Sequence, residues 1–203
     1  MKKILLAMTI ALCLAANASA GFIEGANAYN AKNYSLALKE ITPLAKAGHA
    51  DAQHLLGLMY YMGRGVDRDY KTALVWHRKA ADQGQADAQY VVGAMYYTGN
   101  TVDADPKAAV PWFRRAAEKG HAEAQHALGL MYCYHAAGLP ADKVLAYMLW
   151  TLASASGNAN ATQHKAEISK RMTAEQIDEA QAMSKSWKIG TPLPTSSRTG
   201  VSA

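Results

Sequence analysis

Three blocks of this chain carry the same residues at a spacing of 36. Ala50-Asp51-Ala52-Gln53 recurs as Ala86-Asp87-Ala88-Gln89 and again as Ala122-Glu123-Ala124-Gln125. Downstream, Gly57-Leu58-Met59-Tyr60 returns as Gly93-Ala94-Met95-Tyr96 and Gly129-Leu130-Met131-Tyr132. Trp76, Ala80-Ala81 and Gly84 are followed by Trp112, Ala116-Ala117 and Gly120. A third copy has Leu149, Ala153-Ser154 and Gly157, one residue late, a shift that the loop around Ala136 to Pro140 absorbs. A unit this short cannot enclose its own apolar face, so neighbouring units must stack to bury it.

The hydrophobic spacing within a unit is helical. Ala52, Leu56, Met59 and Tyr60 fall at i, i+4, i+7 and i+8, one face of a first helix. Gly57 lies beside that face, where the missing Cβ lets a second helix approach. Gly63 and Gly65 end the first helix, because glycine takes the left-handed cap conformation cheaply. Asp69 and Asp105 are N-caps for the second helix, and Pro106 suits its first position. Trp76 and Trp112 read as its large apolar knobs, with alanines along its close face. Pro43 and Pro111 fall inside predicted helices and should kink or break them. Upstream, Phe22 to Gly48 reads as a shorter helix pair, and downstream Ala159 to Arg171 supplies another first helix. Thr173-x-x-Gln176 is a capping box opening a last helix, with Ile177, Ala180, Met183 and Trp187, that closes the stack. The expected layout is units at 21–49, 50–85, 86–121 and 122–158, with a cap over 159–189.

The two ends read differently. Lys2 and Lys3, the apolar stretch of 13 residues from Ile4 to Ala16, and Ala18-Ser19-Ala20 form a secretory signal over 1–20, cut after Ala20. The apolar run falls short of the roughly 20 residues that span a bilayer, so no permanent anchor is expected. Leu12 stands where lipoprotein attachment at Cys13 requires a small residue. The mature chain is therefore expected in the periplasm or outside the cell. Residues 190–203, rich in Thr, Ser, Pro and Gly, read as a disordered tail. Cleavage lowers the formal charge from +5 to +3 and leaves Cys133 without a partner for an intramolecular disulfide. Arg78 with Asp82, and Arg114 with Glu118, form i,i+4 pairs typical of exposed helices, which argues against a nucleic-acid partner. Alanine supplies 41 residues, so the core is one of close backbone approach rather than thick aliphatic packing.

The unit small-x-x-x-Leu-Gly-x-Met-Tyr, then Gly-x-Gly-Val, Lys-x-Ala-x-x-Trp and Ala-Ala-x-x-Gly, resembles the Sel1-like repeat, a relative of the tetratricopeptide repeat. Residues 50–85 match throughout, and 86–121 depart at Asn100, Thr101 and Pro111. The third unit has His135 where the loop glycine is expected and lacks Lys-x-Ala-x-x-Trp. The stretch from Ala146-Tyr147 through Met172-Thr173 to Trp187 is similar to the usual ending of exported bacterial members. The resemblance implies an all-α, tetratricopeptide-like solenoid that binds other proteins and usually has no catalytic site. It also implies a concave groove lined by Asp51, His54, Leu58 and Tyr61, by Asp87, Tyr90, Ala94 and Tyr97, and by Glu123, His126, Leu130 and Cys133. Helix geometry partly agrees, since His54, Leu58 and Tyr61 lie opposite Ala52, Leu56 and Met59. Tyrosine brings wide contact area, few rotors and a polar tip, which suits an interface. The tyrosines have a second reading, packing between adjacent units. The carboxylates have one too, since a first-turn acid stabilises the helix dipole.

Metal binding and catalysis find little support. His49 and His121 share one repeat position, and His54 and His126 another. Members of each pair are two units apart, roughly 20 Å at ordinary helix spacing, whereas zinc ligands converge within about 2 Å of one ion. No Ser-x-x-Lys, G-x-S-x-G, H-E-x-x-H, C-x-x-C or phosphate-cradling glycine loop occurs. Cysteine-rich relatives have been linked to β-lactamase activity, but this chain lacks their paired cysteines. Cys133 reads as a small half-buried filler. The expectation is a non-enzymatic, cofactor-free binding module of the bacterial envelope, a scaffold or regulator holding a protein partner in its groove. The resemblance also admits a periplasmic immunity protein against a lipase-type toxin delivered by type VI secretion and, more remotely, a β-lactamase-like hydrolase.

Overall fold

The computed structural model of the chain describes residues 19–99 and 103–199. Most of the predicted signal segment, the departures at Asn100 and Thr101, and residues 200–203 lie outside them. Regular structure among the described residues is helical throughout, and the chain divides into two compact units, Met1–Gln85 and Ala86–Ala203. The first holds α1 (19–30), α2 (Tyr34–Lys46), α3 (Ala50–Met62) and α4 (Tyr70–Asp82). The second holds α5 (Ala86–Thr98), α6 (Pro106–Glu118), α7 (Ala122–Cys133), α8 (Lys143–Ala155), α9 (Ala159–Ser169) and α10 (Ala174–Ser186). Helices pack in sequence-adjacent pairs, α3 on α4, α5 on α6 and α7 on α8, and α10 lies back on α8.

Local chemistry sets the helix boundaries. The Asp69 carboxylate accepts from the amides of Lys71 (2.9 Å) and Thr72 (3.1 Å), and Asp105 accepts from Ala108 (3.0 Å). The Thr173–Gln176 capping box closes in both directions. Histidine is a cap the sequence reading did not assign. His49 and His121 each present Nδ1 to the amide three residues on, at 3.3 and 3.2 Å, which fixes both rings as acceptors on that side. Pro43 and Pro111 do not interrupt α2 or α6. Both prolines are exposed, and so are Lys39 and Lys107, whose carbonyls lose their helical partner and face water instead.

The repeat glycines work by close approach. A Cβ on Gly25 would meet Ile41 at 2.6 Å, one on Gly57 would meet His77 at 2.8 Å, and one on Gly93 would meet Phe113 at 2.8 Å. On Gly129 it would meet the Trp150 indole. The ring over the glycine is therefore His77 or Phe113, the residue after the predicted knob. Trp76 and Trp112 sit one helical step round, each under a cation, Lys79 at 4.3 Å and Arg115 at 4.8 Å. The repeated glutamine is buried for a reason of its own. Gln53 and Gln125 each donate Nε2 to the carbonyl of a preceding helix, Ala45 and Ala117, at 3.1 Å. Each carbonyl also accepts the turn amide of Gly48 or Gly120, at 3.1 and 2.9 Å, so the glutamine is its second donor.

In the third repeat two residues hold the backbone that glycines hold in the first. His135 (φ 53°) and Ala137 (φ 57°) stand where Gly63 (φ 67°) and Gly65 (φ 76°) do. A Cβ in the left-handed region costs roughly 1–2 kcal/mol, partly offset by the smaller unfolded-state entropy of alanine. Ala137→Gly is therefore expected to stabilise the chain by about 0.5 kcal/mol, seen as a higher urea midpoint at unchanged slope.

Residues 190–199 correct the expectation of a disordered tail. Leu193 is 4% exposed, the Gly190 amide donates to the Glu118 carbonyl at 2.7 Å, and the Leu193 amide donates to Glu118 Oε1 at 3.0 Å. Composition misleads here because the segment's own polarity is low in charge, while its partners Arg114, Glu118, Asp142 and Glu179 supply what its backbone lacks. Arg114 and Glu118 are thus more than an exposed i,i+4 pair. Their groups are 3.8 Å apart and both are committed to this segment.

Candidate functional site

The two helices that carry the predicted groove residues of the second unit, α5 and α7, enclose a pocket of about 390 Å³. Its α5 wall is Tyr90, Ala94, Tyr97 and Thr98, and its α7 wall is Ala127, Leu130 and Met131. Phe113 reaches in from α6, and Tyr134 and Ala136 close the end beyond α7. Small alanines leave the hollow, and rings form its rim. No charged side chain lines it. Tyr97 and Tyr134 are 45% and 67% exposed, high values for large aromatic rings on a folded surface.

The rim is fixed from behind. The Tyr90 ring stacks on His121 at 4.7 Å and leans on Phe113 at 5.7 Å, and Tyr97 meets Phe113 edge-on at 6.4 Å. His121 is held by Ala124 N at Nδ1 and by Asp87 at Nε2, 3.3 Å away. Burial, helped by the nearby Glu123 carboxylate, holds the Tyr90 hydroxyl above its ordinary range. The phenol stays neutral. The lining offers hydroxyl tips and apolar faces, and it contains no nucleophile–base pair.

Of the predicted groove residues, the structure brings Tyr90, Ala94, Tyr97 and Leu130 together here. Asp87 and Glu123 stay exposed on first turns, Asp87 paired with His121. His126 turns aside, its Nε2 3.0 Å from His164 Nδ1, with Trp150 stacked on His164 at 5.2 Å. Burial first, then the neighbouring His164, holds its imidazole below the ordinary value, against the pull of Glu123. Cys133 lines a separate hollow of about 60 Å³ with His164, Glu167 and Arg171. Burial pushes its thiol up, outweighing Arg171 and Lys143, so it is not an activated nucleophile.

In the first unit the corresponding residues are drawn into packing. Tyr61 lies against Tyr70 at 5.1 Å, Leu58 packs against the core of α2 and α3, and His54 faces the buried His77. Asp51 is exposed on the first turn of α3. A wider hollow of about 600 Å³ borders α1 and the start of α2, with Ile23 and Leu36 on its wall, and no predicted residue lines it. Sequence reasoning missed Phe113 and Tyr134. The first was masked by the adjacent Trp112. The second sits where the earlier repeats carry Met62 and Thr98.

Among the described residues no three His, Cys, Asp or Glu are arranged to hold a metal ion, and no helix is long and apolar enough to cross a membrane. No curated protein matches this chain. Among solved structures it is similar to a protective antigen of uropathogenic Escherichia coli strains displaying an SLR fold, with 30% identity and a TM-score of 0.73, over 82% of this chain and 36% of the other. It is also similar to a Sel1 repeat protein from Oxalobacter formigenes, with 28% identity and a TM-score of 0.69, over 72% of this chain and 60% of the other. The chain thus spans about a third of the first relative and six-tenths of the second. The Sel1 repeat model matches residues 50–85, 86–121 and 122–158, in the registers that the sequence period gives. The chain belongs to the Sel1 repeat family, an all-α repeat fold whose members generally mediate protein–protein interaction and are typically not catalysts.

Proposed function

We propose that this chain is a non-enzymatic protein-binding module of the bacterial envelope, and that the α5–α7 pocket receives apolar side chains of its partner. The observation that carries this reading is an aromatic-rimmed pocket of about 390 Å³ without a charge in its lining. Tyr97 and Tyr134 expose ring area that no core packing accounts for, and such rings are the residues on which binding energy concentrates. Export is supported by Lys2, Lys3, the apolar run after them and Ala18-Ser19-Ala20.

The test compares tagged wild-type chain, purified from the periplasmic fraction with Gly21 as its first residue, against Tyr97→Ala and Tyr134→Ala. Loss of a hot-spot ring costs about 2 kcal/mol, so each variant is expected to hold the captured partner roughly thirtyfold more weakly. Thermal unfolding should stay within about 2 °C of wild type, since neither ring is buried. Equal capture by all three proteins contradicts the reading.

A further inference from the structure

The second unit carries another surface built to hold a polypeptide, and it is occupied. Residues 190–199 run without regular secondary structure along α6, α8 and α10, and Leu193 alone among their side chains is buried. Leu193 sits against Leu128, Leu145, Met148 and Leu149. Arg114 donates to two consecutive carbonyls, those of Leu193 and Pro194 (3.3 Å), and also to the Tyr132 hydroxyl at 3.2 Å. Asp142 is fully buried. Its Oδ1 caps α8 through the Leu145 amide at 3.0 Å, while Ser197 donates its amide to Oδ2 (2.8 Å) and its hydroxyl to Oδ1 (2.7 Å). Glu179 accepts from the amides of Arg198 (2.6 Å) and Thr199 (3.1 Å) and from the Thr199 hydroxyl.

These contacts divide as peptide recognition divides. One guanidinium reads carbonyls and three carboxylates read amides, which any extended chain offers, while the leucine and two hydroxyls select the sequence. The hold is shallow for its length. A single buried side chain opposes the entropy of ordering ten residues, and neither the α8 cap on Asp142 nor the α5–α6 and α7–α8 pairings are made through the segment.

We propose that this slot is a peptide-binding site, filled at rest by the chain's own residues 190–199. The segment detaches without unfolding the helices, and a partner's extended segment takes its place. That segment carries a Leu-Pro pair with hydroxyl residues four and six positions after the leucine, the pattern of Leu193, Ser197 and Thr199. The site is separate from the tyrosine pocket and does not depend on that reading. Covalent attachment in cis gives the resident segment a high effective concentration, so the partner binds only when the slot opens.

Two measurements test this. In hydrogen exchange on the intact chain, the amides of Leu193 and Ser197 are expected to exchange at least a hundredfold faster than the core amides of α6 and α8. Exchange of both at the rate of α8 makes the segment a permanent core element and overturns the proposal. In the second, a labelled peptide of residues 190–199 is added to the full chain carrying Leu193→Asp. It is expected to bind at least tenfold more tightly than to the wild-type chain, whose slot is filled. Asp142→Asn in that background, which keeps a good helix cap, should abolish the gain. No saturable binding to the Leu193→Asp chain overturns the proposal even if exchange is fast. A wild-type dimer that exchanges the segment between copies overturns the assignment to a foreign partner in favour of a second copy.

Discussion

Replacing Gly129 by alanine is expected to destabilise the second unit by about 3 kcal/mol, at the upper end of ordinary overpacking, and to lower its melting temperature by roughly 10 °C. The new methyl would lie against Trp150, closest to Nε1 and 2.7 Å from Cδ1. The indole has nowhere to retreat. It is 1% exposed, stacks on His164 at 5.2 Å, and donates Nε1 to the His126 carbonyl at 3.1 Å. Either the α7–α8 pair separates or the indole gives up that bond. Trp150→Leu in the same chain should recover part of the loss, because a flexible aliphatic chain yields where the fused rings do not. A double-mutant cycle over positions 129 and 150 reads this directly. Additive losses would mean that the glycine is not there for the ring.

The second large effect is a dependence on acid centred on the first unit. His77 occupies the slot that Phe113 fills in the next repeat, fully buried over Gly57. Its Nδ1 lies 3.2 Å from Nδ1 of His54, and its Nε2 has no hydrogen-bond partner among the described residues. Burial, reinforced by the neighbouring His54, lowers its pKa from 6.5 to about 3. The unfolded chain therefore takes up a proton near pH 6.5 that the folded chain refuses until about pH 3. The stabilisation from the neutral ring is complete above pH 6.5 and is lost as pH falls through that window. The loss approaches about 1.4 kcal/mol per pH unit. His77→Phe should remove the slope. It should also leave stability at pH 7.5 within about 1 kcal/mol of wild type, since the neighbouring repeat already accommodates that ring. Urea titrations at pH 7.5, 5.5 and 4.5, followed through Trp76, the tryptophan of residues 1–85, provide the check. An unchanged slope in the variant would place the acid sensitivity elsewhere.

Period and capping were legible because each depends on residues close in sequence. Asp69, Asp105 and the Thr173–Gln176 box need only their next turn, and the repeated glycines announce a close approach without saying to what. What lies across that approach was not legible. The ring over Gly57, Gly93 and Gly129 is set by helix rotation of one residue, about 100°, and tryptophan is the more conspicuous choice beside His77 or Phe113. The buried glutamines were counted as part of a motif, but their task, bonding Ala45 and Ala117, belongs to the preceding helix. Segment 190–199 was misread for the same reason. Its order comes from a buried aspartate and an arginine, Asp142 and Arg114, tens of residues away. Of the pocket's lining, Tyr90, Ala94, Tyr97 and Leu130 occupy positions that the family resemblance implied. Tyr134 was missed because its counterparts in the earlier repeats, Met62 and Thr98, carry no such ring.

A protein partner docked at the α5–α7 pocket, as proposed, would lie against the exposed rings of Tyr97 and Tyr134. A photoreactive phenylalanine analogue placed singly at Tyr97, at Tyr134 and at Val75, an exposed residue of the first unit, tests this docking in living cells. One crosslinked partner of the same mass is expected from positions 97 and 134 and none from position 75. Crosslinks from position 75 alone, or from all three positions alike, would contradict it.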